Sequence, residues 1–194
     1  MFYKHLKGVL SAAECDALIS RGNALGFEQA LVNRGDGTQE LITRVRNNER
    51  VIFDDNALAR ELESKLMGRL ASDFPYTFKD VVYRKAGSHF RLYKYTPEQY
   101  FKPHRDGSFQ DLDCESEITV LFYLNDTDGG DTVLMPHGKG QEWSFLHFPP
   151  KAGDVLMFEH PVWHEGRPVN SGEKFVLRTD LFYSPGLTGM AQAV

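Results

Sequence analysis

The sequence predicts an α+β fold, a jelly-roll or barrel of short strands packed against an N-terminal helical layer. Three observations predict it. Helical periodicity is confined to the first third of the chain. Short β-patterned runs separated by Gly-, Pro-, Asn- and Asp-rich turns fill the rest. The 194 residues show no linker, repeat or low-complexity tract, so a single domain over 1–194 is expected, with the helical layer mainly over 11–74 and the strand core over about 80–184.

The elements follow in order. "SAAECDALISRGNALGF" opens with Ser11 and places Glu14 three residues later, the spacing at which cap and third residue satisfy each other's backbone N–H groups. Ala17, Leu18, Ile19 and Leu25 supply its apolar side, and Gly22 or Gly26 ends it. A second helix is expected over "NALARELESKLMGRLASDF", where Leu58, Leu62, Leu66 and Leu70 recur every four residues. Between them, "ELITRVRNNERVIFDD" reads as extended. After Pro75 the period changes. "HFRLYKY" alternates, with Phe90, Leu92 and Lys94 on one face and Arg91, Tyr93 and Tyr95 on the other. "EITVLFYLN" is a mostly apolar strand stopped by "NDTDGGD", and "GDVLMF" and "KFVLRTDLFY" are further strands.

Composition excludes several classes. A net charge of −5 argues against nonspecific partnership with nucleic acid or acidic membranes. Cys15 and Cys114 form no CxxC pair, which speaks against a disulfide framework and a cysteine zinc site. No apolar run reaches membrane-spanning length, and "MFYKHLKGVLSAAEC" lacks the apolar region of a signal peptide, so a cytoplasmic protein is expected.

The chemistry centres on "FKPHRDGSF", residues 101–109. His104-Arg105-Asp106 has the letters of a kinase catalytic loop, but that loop needs an asparagine five residues after its aspartate, and position 111 is Asp111. No glycine-rich loop precedes it and no DFG follows. The alternative is a metal site. On an extended strand residues i and i+2 share a face, so His104 and Asp106 present an imidazole nitrogen and a carboxylate oxygen side by side. A second histidine from another strand completes the two-histidine, one-carboxylate face that leaves open positions on a non-haem Fe(II) ion. His-x-Asp alone is unspecific. Downstream, "FEHPVWHEGRPVNSGEKFVLRTDLFY" adds His160 and His164, then a strand with Lys174, Val176, Arg178 and Asp180 on one side and Phe175, Leu177 and Leu181 on the other.

With those residues in place, the sequence resembles the 2-oxoglutarate- and Fe(II)-dependent dioxygenases, in their prolyl 4-hydroxylase-like branch. "YKYTPEQYFKPHRD" looks like the branch's tyrosine-rich strand leading to the first two ligands. "LFYLNDTDGGDTVL" resembles its strand and Gly-Gly turn, and "PKAGDVLMFEHPVWHEGRPVNSGEK" its segment from a Pro-x-x-Gly turn to the basic residue. The likeness runs from about Arg91 to Tyr183. It implies a double-stranded β-helix (jelly-roll) core and a hydroxylase using Fe(II), 2-oxoglutarate and dioxygen, with ascorbate as an optional reductant. It further implies His104, Asp106 and His164 as metal ligands. His164 is preferred to His160 because Lys174 lies ten residues beyond it, and His160 is then a hydrogen-bonded pocket or structural histidine. Lys174 is implied to hold the distal carboxylate of 2-oxoglutarate. Arg178 is the rival, facing the same way about 13 Å along an extended strand. Tyr95, or Tyr93 on the same face, is implied to donate to that carboxylate. Tyr100 stands four residues before His104 where the family has three, which leaves the tyrosine open between the two. Related halogenases lack the carboxylate ligand, so Asp106 favours hydroxylation. A peptide or amino-acid-like small molecule is the implied substrate, with "RVRNNER" either contacting it or serving structure. The competing readings are a non-catalytic β-sandwich binding module and a zinc hydrolase with the same ligands. The oligomeric state is left open.

Overall fold

The computed structural model describes residues 1–33, 38–135 and 145–186. Its first helix, Ala12–Leu25, is capped by Ser11 in the reciprocal arrangement expected: Glu14 N–H donates to Ser11 Oγ and Ser11 N–H to the Glu14 carboxylate. Such a cap stabilises a helix by about 1 kcal/mol. The helix ends at Gly26, whose φ of 87° lies where side-chain-bearing residues are strained. Gly22 does not end it. It is buried mid-helix, and a Cβ there would sit 2.4 Å from Leu92 Cδ2, so the glycine lets the helix lie down on the sheet. The second helix, Asn56–Leu70, takes Asp55 as its cap and buries Leu62, Leu66 and Leu70 as the four-residue period requires.

Two sheets follow. The larger has ten strands and includes Tyr3–Leu6, Val155–Glu159, Cys114–Tyr123, Lys174–Pro185, His89–Tyr95 and Glu49–Asp54 as successive neighbours. The smaller sets Leu146–Phe148, Thr132–Met135, Trp163–Gly166 and Phe101–His104 side by side. Alternation along each strand divides the core. Phe90, Leu92, Phe175, Leu177 and Leu181 point to the helices and join Leu62 and Leu66 in the main cluster. Leu121, Tyr123 and Val176 point between the sheets and meet Leu134 and Phe158 in a second cluster. The extended reading of residues 40–55 holds for Glu49–Asp54, while 43–45 form a turn closed by Val45 N–H on the Ile42 carbonyl. Among the described residues no helix is long and apolar enough to cross a membrane.

Candidate metal centre and its pocket

The face of the large sheet that looks toward the small one carries Tyr93 and Tyr95 on one strand and Lys174, Val176 and Arg178 on its neighbour; Lys174 pairs with Tyr95 and Val176 with Tyr93. The small sheet contributes the histidines. His164 lies opposite His104 in the antiparallel register of their two strands, so both rings project to one side. The Phe101–His104 strand has ended by Asp106, and the carboxylate is placed by its own backbone N–H bonding the His160 carbonyl at 3.2 Å. His104, Asp106 and His164 offer ligand atoms that all lie within 4.8 Å of one another. The seven residues implied as metal ligands or cosubstrate contacts line one pocket: His104, Asp106, His164, Lys174, Tyr95, Tyr93 and Arg178; His160 and "RVRNNER" lie outside its lining.

The state of these groups suits a divalent metal. Each histidine bonds through Nδ1 to the carbonyl two residues earlier, His104 to Lys102 at 2.8 Å and His164 to Val162 at 3.0 Å. Carbonyls only accept, so Nδ1 carries the proton and Nε2 keeps its lone pair, turned toward Asp106. Burial lowers the pKa of both rings and keeps them neutral. Burial alone would raise the Asp106 pKa, but Arg178, the two imidazoles and the Thr119 hydroxyl hold it well below the usual carboxylate range. The cluster is thus two neutral nitrogens and one anion, the donor set for Fe(II).

A hydrogen-bond chain behind Asp106 orients it. Thr119 Oγ1 donates to Asp106 Oδ2 at 2.7 Å and lies 2.9 Å from His160 Nδ1; His160 Nε2 lies 2.9 Å from Ser116 Oγ. Thr119 has one proton and gives it to the aspartate, so it accepts from His160 Nδ1–H, and Ser116 donates to Nε2. Ser116 and Thr119 are three residues apart and would face opposite ways on a regular strand. The register shift between Ser116 and Ile118 restores the parity. Burial keeps His160 neutral, as this chain requires. The His160 ring therefore serves the ligand cluster from behind. On the other side Arg178 Nη1 donates to Asp106 Oδ1 at 2.5 Å, and its Nε and Nη2 to Asp180 Oδ1.

Lys174 is different. It is 2% exposed, Nζ donates to the Gly130 carbonyl at 2.6 Å, and no carboxylate among the described residues lies in salt-bridge contact with it. Burial drives its pKa down to about 7. Tyr95 and Tyr123 present rings 5.1 and 5.8 Å from Nζ. The Tyr123 hydroxyl is fully enclosed, with the Thr132 side chain close enough to act on it but no well-formed hydrogen bond among the described residues. Thr132 completes this end of the pocket. Sequence reading missed Tyr123, Thr132, Thr119 and Ser116. Tyr123 and Thr119 lie within an apolar run, where only the inward parity of alternate residues marks them.

"RVRNNER" divides between two roles. Asn47 Oδ1 accepts from Tyr100 N–H and Asn48 Oδ1 from Arg46, while Arg46 and Arg50 line a wider groove of about 820 Å³ in front of the cluster.

Residues 90–179 match the family model of the 2OG-Fe(II) oxygenase superfamily. The chain is 28% identical over 160 residues to probable prolyl 4-hydroxylase 11 of Arabidopsis thaliana, covering 81% of this chain and 52% of that protein, about half its length. The structure resembles the viral collagen prolyl hydroxylase of Paramecium Bursaria Chlorella virus-1 in its 2-oxoglutarate complex, with TM-score 0.62 and 22% identity over 95% and 97% of the two chains. It also resembles a Trichoplax adhaerens prolyl hydroxylase bound to a hypoxia inducible factor oxygen degradation domain peptide fragment, with TM-score 0.65 and 14% identity over 93% and 83%.

Proposed function

We propose that the chain is a 2OG-Fe(II) oxygenase of the prolyl 4-hydroxylase-like branch that hydroxylates a C–H bond of a peptidyl or amino-acid-like substrate, converting 2-oxoglutarate to succinate and carbon dioxide. The observation that carries this reading is Lys174, a buried cation with no carboxylate in salt-bridge contact among the described residues, in the same pocket as the His104, Asp106, His164 cluster. A zinc hydrolase has no use for such a cation, and a binding module has no use for the cluster.

In this reading His104 Nε2, Asp106 and His164 Nε2 hold Fe(II). The bound iron supplies the redox chemistry that couples oxidative decarboxylation to substrate oxidation. The protein's own part is placement. Lys174 turns from the Gly130 carbonyl to the distal carboxylate of 2-oxoglutarate, a charge-assisted bond strengthened by its burial. Tyr95 lies beside it in register and is the nearer of the two predicted tyrosines, with Tyr123 as a second hydroxyl donor. Arg178 stays with Asp106 and Asp180. Leu121, Val176 and Phe101 wall the pocket and keep water from the reacting groups. The substrate enters from the groove lined by Arg46, Arg50 and Phe109. A cytoplasmic setting fits the two free, buried cysteines.

The test is succinate release from 2-oxoglutarate by the Fe(II)-loaded protein, with and without a panel of proline-containing peptides and free amino acids. Stimulated release with an added oxygen atom on one panel member is the expected result. No 2-oxoglutarate consumption under any condition would sink the proposal.

A further inference from the structure

We propose that the groove reads a carboxylate on the substrate, close to the carbon that is oxidised, through Arg46 and the hydroxyl of Tyr93. The inference deepens the oxygenase reading and rests on it. Its first support is charge. The chain as a whole carries −5, yet the groove is lined by Arg46, Arg50, Arg91, Arg105 and Arg178 against one carboxylate, Asp106. Arg178 is bound to Asp106 and Asp180, and Arg91 to Asp180. Arg105 is exposed over the Trp163 ring at the rim. Arg46 and Arg50 have no carboxylate partner among the described residues; Arg50 donates to Gln39 Oε1 and toward the Leu31 carbonyl.

Arg46 is a prepared site. It is 4% exposed, and Nε and Nη2 both donate to Asn48 Oδ1, at 3.1 and 3.0 Å. Asn48 is itself oriented by its amide donating to the Glu49 carbonyl at 2.9 Å. The guanidinium lies 4.1 Å from the Phe101 ring centroid and 5.0 Å from that of Tyr93, while Nη1 meets no acceptor among the described residues. A guanidinium withdrawn from water and given one neutral acceptor lacks the anion that usually accompanies a buried charge. Phe101 in turn stacks on His104, with centroids 3.5 Å apart, so Arg46 stands one ring away from a metal ligand.

Tyr93 is the second observation. Its side chain is 6% exposed, its hydroxyl has no hydrogen-bond partner among the described residues, and it lines both the metal pocket and the groove. Burial works against ionisation of the phenol, but Arg178, Arg46 and Arg91 together pull its pKa below the ordinary value, a measure of the positive field there. A guanidinium edge and a phenol hydroxyl facing one opening match a carboxylate's two oxygens. The carboxylate can be a free main-chain carboxyl or an acidic side chain.

The experiment is calorimetric binding to the full chain under anaerobic conditions with Mn(II), with and without saturating 2-oxoglutarate. The probes are two matched pairs: N-acetylproline against its amide, and acetyl-Pro-Glu-amide against acetyl-Pro-Gln-amide. With 2-oxoglutarate present, the acid of at least one pair should bind at least about tenfold tighter than its neutral partner, the pair identifying the source of the carboxylate. Arg46→Gln should erase that preference and Arg46→Lys restore part of it, while Arg105→Gln leaves it intact. Should Arg46→Gln fail to fold by thermal denaturation, Tyr93→Phe carries the test through a reduced preference. Equal binding of acid and amide, or no binding of any probe, overturns the inference. So does a preference abolished by 2-oxoglutarate, which would place the probe carboxylate at Lys174. Failure of the oxygenase reading appears separately, as absence of 2-oxoglutarate binding to the wild-type protein.

Discussion

Lys174 and Arg178 sit four residues apart on one strand, face the same pocket and are both buried, at 2% and 8% exposure. Their surroundings are opposite. Arg178 lies between Asp106 and Asp180, which outweigh the cost of burial and raise its pKa above the ordinary value. Lys174 has a backbone carbonyl, and burial, only partly opposed by the charge of Asp131, takes its pKa down to about 7. A buried cation with its anions built in contributes to architecture; one without them is held ready for an anion that arrives. On this contrast rests the proposed division of labour, in which Arg178 orients Asp106 and Lys174 receives the distal carboxylate.

The harshest way to break the comparison is to remove the carboxylate on which Arg178 and the metal converge. Asp106→Ala should abolish iron binding and leave succinate release at background. It should also destabilise the fold by about 3–5 kcal/mol, because Arg178 loses a buried partner. His164→Ala should likewise abolish iron binding. Iron per chain and urea denaturation check both. Retention of iron by His164→Ala, with loss in His160→Ala, would move the distal ligand to His160.

Next come the cations themselves. Lys174→Met should weaken 2-oxoglutarate binding by about 2–5 kcal/mol, tens- to thousands-fold, with no loss of folding stability, since it removes an uncompensated buried charge. Arg178→Met should show the reverse order: destabilisation of about 3–5 kcal/mol, chiefly from Asp106 left without its buried cation while Asp180 keeps Arg91, ahead of any effect on cosubstrate affinity. Isothermal titration and denaturant melts on the two variants separate the outcomes. A cosubstrate defect in Arg178→Met with none in Lys174→Met would exchange their roles.

The contrast marks what a sequence discloses. Period and punctuation locate the helices and strands, because Leu62, Leu66 and Leu70 or Phe175, Leu177 and Leu181 repeat locally along one element. Parity places Lys174 and Arg178 on one face. Compensation is not local. Asp180 is the local exception, two residues beyond Arg178 on the same face; Asp106 comes from the loop after the Phe101–His104 strand and Gly130 from a turn, and no spacing announces those two. The Ser116–His160–Thr119 chain was hidden for a further reason: it depends on a bulge that inverts the parity a regular strand would give.

That chain offers a milder perturbation on the Arg178 side. His160→Ala removes the group that fixes Thr119, so Asp106 keeps Arg178 but loses an oriented donor. Loss of such an outer partner typically costs about 10–100-fold in metal affinity. Iron titration should fall in that range, with 2-oxoglutarate affinity of the metal-saturated protein little changed. An unaltered iron affinity would show that Arg178 alone orients the carboxylate.

The gentlest probe is pH, and it tests the Lys174 side without a mutation. In the ligand-free protein the ammonium gives way to the amine as pH rises through about 7. A bound carboxylate favours the ammonium and raises that pKa, so the complex keeps a proton that the free protein has lost. Below pH 7 both states hold the proton and this lysine adds no pH dependence. Above pH 7 binding must take up a proton, and the dissociation constant for 2-oxoglutarate should rise by up to about tenfold per unit. Calorimetry in buffers of different ionisation enthalpy should register uptake approaching one proton at pH 8. Lys174→Arg should flatten the profile, because a guanidinium stays charged throughout. The metal-ligand histidines do not mimic this signature: burial lowers their pKa values, so their protonation weakens binding on the acid side. A wild-type profile flat from pH 7 to 9 would mean that Lys174 is already charged in the free protein, as Arg178 is. It would then have a compensating anion of its own, and the distinction between the two cations would fail.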